Sequence, residues 1–341
     1  MKVTKQPKRS VSSIGIDIGS AEIRAVQLVG TSESFDVLRS SVFPRQSRDD
    51  ASCKFDLSEA KYLRGVLERR GFVGSRVSIC SPRGSTSTQV IDLPARDSHA
   101  PIDAIARAEF ARSQRVSADS YEFASWYIPS RGRQDQGMVV ACERIPLEQR
   151  IDAFEDAGMG VVGVDLEETA ITRACVEQLD PRENAINAIV RLGWSSSLAV
   201  LALGNEVVYT RRIGLGVSRF ILSLQDSNGL DLHDSMRMLA FQDSGVGSGQ
   251  ASIQAFMQAG WGNLAGEIAN EVDTAVTYVA HAYRSAEIGK VALAGYGTGR
   301  AILREAFGSR VGMDAVVPVW PGVETPGNCA VSIGLARRFD G

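Results

Sequence analysis

The chain has 341 residues, 44% hydrophobic and 23% charged, with a formal net charge of −3. That length can bury a large core divided into about two lobes, and the near-balanced charge excludes a general nucleic-acid binder. Five scattered cysteines without C-x-x-C spacing exclude a disulfide framework and a zinc site and place the chain in a reducing cytosol.

Residues 1–13 carry Lys2, Lys5, Lys8 and Arg9 but lack the apolar stretch of a secretory signal, and they read as a flexible basic tail. The first strand-turn-strand pattern follows, from Ile14 to Leu28, with Asp17 at the lip of its turn and Gly19 and Ser20 within it. Glycine there lets backbone amides approach a ligand closely. Arg24, on the return strand, reads as an exposed charge. Leu57 to Gly71 has helical spacing, with Leu57, Ala60, Leu63, Val66 and Leu67 on one face. Val77 to Cys80 reads as a strand and Val90 to Pro94 as an extended stretch. Pro101 to Arg115 is an amphipathic helix carrying Ile102, Ile105, Ala106, Phe110 and Ala111. Strands are expected at Tyr121–Tyr127 and Met138–Ala141, separated by a polar loop at 129–137. Pro146–Ala157 predicts a helix, Val161–Val164 a strand and Glu167–Leu179 a helix.

A second hairpin, from Ala188 to Leu201, repeats the first, with Arg191 where the first has Asp17, and with Gly193 and Ser195 in its turn. Its apolar run near Leu198 to Leu203 is far too short to span a bilayer. The glycine-rich stretch 244–249 marks a flexible insertion. A helix from about Leu264 to Arg284 and a strand at Lys290–Ala294 lead into Gly295-Tyr-Gly-Thr-Gly299 and a helix at Arg300–Phe307. Repeated strand-helix alternation predicts a mixed α/β architecture in two halves. His99, His233 and His281 lack ligand spacing, Ser195-Ser-Ser197 lacks a base partner, and the glycine-rich turn lacks the Lys-Ser/Thr end of a P-loop.

A D-x-G hairpin, a second hairpin half a chain later and a glycine-rich strand-to-helix turn, in that order, resemble the two-lobed actin-like ATPase (ribonuclease H-like) fold. Within it the chain resembles the PilM family of type IV pilus assembly proteins, in the FtsA/PilM branch. Gly15 to Leu28, Ile91-Asp-Leu-Pro94, Asp156-Ala-Gly158, Arg212-Ile-Gly-Leu-Gly216, Glu271 to Tyr278 and Ile333-Gly-Leu-Ala-Arg337 carry that likeness. The resemblance implies a first lobe at 14–185 with a small inserted subdomain at about 84–165. It implies a second lobe at 186–341 with a smaller subdomain at about 217–263. It further implies a cytoplasmic scaffold, peripheral to the inner membrane, that grips the cytoplasmic N-terminal peptide of a PilN-like membrane protein, with self-association open. The face of Ile102, Ile105 and Phe110 is the expected groove wall. A pilus and a type II secretion platform are not separated by these motifs.

By the same resemblance, ATP or ADP would contact Asp17, Gly19, Ser20, Arg191, Gly193, Ser195, Glu271, Gly295, Tyr296 and Gly297, with Asp17 the weak candidate for Mg²⁺. Arginine cannot ligate a cation, so Arg191 removes one usual metal contact. Either its guanidinium replaces the metal electrostatically while hydrolysis is weak or lost, or it pairs with Asp17 and closes the cleft. Two alternatives stay open: a small-molecule kinase on the same fold, and an FtsA-like filament former that tethers proteins to a membrane.

Overall fold

The computed structural model describes residues 10–31, 34–46, 54–129, 135–219, 221–222, 226, 251–323 and 327–338. The expected tail up to residue 9, most of the 217–263 subdomain, the glycine-rich stretch 244–249, His233 and Cys53 lie outside the described residues. The chain divides into two compact units. Unit 1 comprises Met1–Ala174, Pro321–Glu324 and Val331–Gly341, and unit 2 comprises Cys175–Trp320 and Thr325–Ala330.

Unit 1 is built on strands β1 (Ser10–Val11), β2 (Ile14–Ile18), β3 (Glu22–Gly30), β4 (Phe35–Pro44), β5 (Arg76–Cys80) and β9 (Gly160–Asp165). Strands β2, β3 and β4 form an antiparallel meander, and β5 and β9 extend the sheet in parallel beyond β2. Every residue of β2 is buried, as an inner strand packed on both faces requires. Helix α1 (Leu57–Arg69) starts where the Asp56 carboxylate accepts the Glu59 amide at 3.0 Å. It buries Ala60, Leu63, Val66 and Leu67 on the sheet, beside Phe154 of α3 (Arg144–Asp156). Gly71, at φ +76°, then turns the chain out of the helix.

Within unit 1, β6 (Thr86–Leu93), α2 (Ile102–Gln114), β7 (Tyr121–Ile128) and β8 (Asp135–Glu143) make a separate small layer. Its three strands lie in the order β6-β8-β7 with β8 antiparallel to both neighbours, so β6 and β7 are the outer strands. Phe110 of α2 is buried in this layer, 5.5 Å from the Phe123 ring and 6.1 Å from the Tyr121 ring. Ile91, Leu93, Val139 and Ala141 complete the core.

Unit 2 has strands β10 (Ala185–Leu192), β11 (Ser197–Leu203), β12 (Glu206–Ile213), β13 (Glu287–Gly295) and β14 (Asp314–Val316), in the order β12-β11-β10-β13-β14. The meander β10-β11-β12 is antiparallel, and β13 and β14 are parallel additions. Both units therefore place a first strand between its hairpin partner and a parallel fourth strand. Helix α5 runs from Ala251 to Ala282, much longer than the expected start near Leu264. Gly260 and Gly262, which argue against a helix by propensity, lie on either side of the wholly buried Trp261, so packing overrides propensity here. Helix α6 (Ala301–Arg310) follows the glycine-rich turn.

The last helix, α7 (Ala330–Ala336), packs on unit 1 from Val331 onward. Ser332 donates its hydroxyl to the Arg24 carbonyl at 2.9 Å, and Arg173 of α4 (Glu167–Cys175) donates to the Gly334 carbonyl at 2.7 Å. Glycine is required at both contact points. A Cβ on Gly15 would meet the Ser332 carbonyl, and one on Gly334 the Ala170 carbonyl.

Candidate functional site

In unit 1 the hairpin tip between β2 and β3 closes when the Gly19 amide donates to the Glu22 carbonyl at 2.9 Å. Gly19 has no room for a side chain, because a Cβ would stand 2.8 Å from that carbonyl and 3.0 Å from an Arg24 nitrogen. Arg45 braces the tip from below. Its guanidinium donates to the Gly19 carbonyl at 3.2 Å and pairs with the buried Glu59 at 2.5 Å. Ser20 is buried within the tip rather than presented on it.

Asp17 is only 1% exposed, and both its carboxylate oxygens face guanidinium groups. One oxygen lies 3.4 Å from Arg24, directly across the ladder, and the other lies 3.2 Å from Arg83. Arg83 also grips Glu167, with nitrogens at 3.1 and 3.3 Å from its two oxygens, and Arg24 reaches Glu22 at 3.0 Å. Three acids and two arginines thus make a continuous chain of charge-assisted bonds at the end of the sheet. Arg24, expected as an exposed strand charge, is 2% exposed and belongs to this chain of ion pairs. The correction follows from its cross-strand register with Asp17, which supplies the partner that burial of a guanidinium demands.

This donor set does not fit Mg²⁺. A hard cation would need oxygens that here bond guanidinium groups of the same sign. Among the described residues no cluster of three or more histidine, cysteine or acidic side chains could hold a metal. Cys80, at the end of β5, has its thiol pushed up by burial first and then by the charges of Asp17, Glu167 and Asp165, which favours the protonated form over the nucleophilic thiolate.

In unit 2 Arg191 occupies β10 at the register that Asp17 holds in β2, opposite Leu198 on one side and Ala294 on the other, and it is 5% exposed. Gly193 is required in the turn, since a Cβ would meet the Ser196 carbonyl, and Ser195 is half-buried. The stretch 214–218 closes over this tip. Val217 donates its amide to the Gly193 carbonyl at 3.1 Å, and Ser197 donates its hydroxyl to the Leu215 carbonyl at 2.7 Å.

The glycine-rich turn is joined to the same tip. Gly295 (φ +89°) ends β13 against the Leu192 carbonyl, which accepts the Tyr296 amide at 3.0 Å. The Tyr296 ring packs edge-on against Trp194 at 6.2 Å. Gly297 (φ +68°) lies against the ring of Trp261, two of whose carbons would be 2.6 and 2.7 Å from a Cβ placed there. The Arg300 guanidinium covers that ring at 5.0 Å from its centroid. Unit 2 therefore brings Gly193, Gly295, Tyr296 and Gly297 together. Glu271 is instead tied to Arg211 of β12 by an ion pair of 2.5 Å, both side chains about two-fifths exposed at 38% and 40%.

Of the expected groove residues, Phe110 is core of the inserted layer, while Ile102 and Ile105 on the same helix are half-buried. Sequence reasoning missed Arg83, Glu167, Arg45, Glu59 and Trp261. Arg83 had a usable signal: it follows a parallel strand beside β2, and carboxyl ends of such strands gather functional side chains. Trp261 had one as well, a large ring flanked on both sides by glycine.

No helix of the described residues is long and apolar enough to cross a membrane. The family profile described as "Type IV pilus assembly protein PilM" matches residues 15–317. No curated protein sequence matches. The chain is similar to a solved structure of the "PilM-PilN type IV pilus biogenesis complex", with a TM-score of 0.77 at 16% identity over 96% of this chain and 98% of that one. It is also similar to the ethanolamine utilization protein EutJ from Carboxydothermus hydrogenoformans, with a TM-score of 0.54 at 16% identity over 98% and 92%. The duplicated strand order and these likenesses make the fold an actin-like ATPase fold. The profile covers most of the chain, and the chain belongs to the PilM family of type IV pilus assembly proteins.

Proposed function

We infer that the chain is a scaffold of the type IV pilus assembly machine that holds the cytoplasmic N-terminal peptide of a PilN-like inner-membrane protein on unit 1. The observation that carries this reading is the likeness, over nearly the whole of both chains, to a structure solved as a PilM–PilN complex. The inserted layer offers what an extended peptide needs. Strands β6 and β7 each pair on one side only among the described residues, and α2 adds the half-buried Ile102 and Ile105 beside them. A cytoplasmic position, peripheral to the membrane through that partner, follows from this reading.

ATP turnover has no part in it. Asp17 is committed to Arg24 and Arg83, and β10 carries an arginine at the matching register. Family membership weighs against the kinase and filament alternatives.

Titration calorimetry with the cytoplasmic peptide of a PilN-like protein tests the reading. One site per chain is expected, and Ile105→Asp should weaken it about tenfold, the scale of one interface anchor. A folded protein that binds no such peptide overturns the reading.

A further inference from the structure

In a parallel sheet, ligands with flat rings and phosphates settle outside the carboxyl ends of adjacent strands, where glycines let the backbone approach. Unit 2 has such a place. Strands β10 and β13 are parallel neighbours ending in register at Leu192 and Gly295, and the turn beyond them carries two glycines of positive φ before α6 begins. What lies on that turn is part of the protein itself.

The indole of Trp261 rests on Gly297 so closely that no side chain fits between them, and it is 0% exposed. Arg300, one residue before α6, covers the ring. Gly262, the next residue of α5, lies with its Cα side toward Ile302 of α6, where a Cβ would stand 3.2 Å from the Ile302 Cδ1. Peptide backbone against a flat π surface, with a guanidinium over the ring, is the set of contacts by which proteins hold a purine.

The geometry points to a self-filled base seat: Trp261 takes, at Gly297 and Arg300, the contacts that the ring of an adenosine nucleotide would need. The glycine-rich turn therefore conserves room for an indole, and unit 2 accepts adenosine nucleotides only when that indole is removed. Tyr296 contributes by packing on Trp194 rather than by stacking on a base. This inference stands apart from the peptide-scaffold reading, which needs no nucleotide.

The test uses the full chain and ADP, by calorimetry and by fluorescence of an N-methylanthraniloyl-ADP probe, with Mg²⁺ and with chelator. The wild type is expected to show no binding at millimolar ADP. Trp261→Ala, and Trp261→Leu as the variant that retains apolar contact with the core, should each gain at least about tenfold in affinity, the scale of one desolvated contact between a guanidinium and an aromatic ring. Trp261→Phe, which refills the seat, should not. Circular dichroism establishes that each variant is folded. Wild-type binding as tight as that of either variant overturns the proposal, and so does a folded Trp261→Leu or Trp261→Ala protein that still binds no ADP. Should neither variant fold, the wild-type titration decides, with measurable ADP binding counting against the proposal and its absence for it.

Discussion

Asp17 shows how one residue's register changes the meaning of a motif. In the sequence it stands in a D-x-G turn whose acid is free to organise a cation. In the structure Arg24 lies opposite it and Arg83 approaches from the loop after β5, so the carboxylate is a counter-ion for two guanidiniums. A buried acid of this kind is held in place by its partners, and removing one of them leaves charge uncompensated. Arg83 is 19% exposed, so solvent relieves part of the loss. Arg83→Met is expected to cost about 2–3 kcal/mol in urea unfolding, below the range for a fully buried pair. Combining it with Asp17→Asn should cost clearly less than the two changes summed, because each removes what the other leaves unpaired. Strict additivity would show that the acid's principal partner lies elsewhere. Addition of Mg²⁺ should leave the wild-type unfolding midpoint unchanged.

At the scale of elements, the two hairpins were legible because each inner strand reads as an apolar run that leads into a charged residue and then a glycine turn. The helices α1 and α2 were legible for the corresponding reason, a helical apolar stripe with a terminator. Strands β4 and β12 were not foreseen. Their ladders contain irregular steps, between Gln27 and Leu28 on β3 and between Leu201 and Ala202 on β11, which break the two-residue alternation that would have marked them. The polar loop expected at 129–137 ends earlier, because β8 begins at Asp135 to complete its pairing with β6. The candidate site was less legible than the fold. Asp17, Arg191 and the glycine turn could be picked from local pattern, whereas Arg83, Glu167 and Trp261 reach their partners through tertiary contacts that no window of sequence contains.

The inserted layer carries its own expectation at this scale. Phe110 has no exposed role, since its ring packs on Phe123 and Tyr121. Phe110→Ala should destabilise the layer by about 3–5 kcal/mol, the usual cost of emptying a large aromatic site. Hydrogen exchange would report that loss as faster exchange in β6, β7 and β8, with the amides of β10 unaffected. Uniform loss of protection in both units would mean that the layer does not unfold on its own.

Over the whole molecule, the same strand order is used twice, and the chain comes back to unit 1 after the strands of unit 2, at Pro321–Glu324 and again from Val331 onward. The C-terminal residues were expected with the second lobe. They fold with unit 1 because Gly15 and Gly334 let backbones touch where any side chain would intervene. Each unit also buries cysteines in its own core, and these thiols contribute to the loss of stability at alkaline pH. Burial pushes Cys175 from its ordinary 9.0 to about 12, and burial likewise raises Cys142 and Cys80. The native state then keeps protons that the unfolded chain releases. Stability is accordingly level below the ordinary thiol range and falls as pH rises through it, until the native thiols themselves ionise. For Cys175 alone the loss between about pH 8 and about pH 10.5 amounts to about 2 kcal/mol. Lysines and tyrosines titrate in the same interval, so the measurement is a difference. Urea unfolding in reducing buffer at the two pH values should show a shallower fall for Cys175→Ala than for the wild type. Parallel falls in the two proteins would show that this thiol ionises as readily in the folded chain as in the unfolded one.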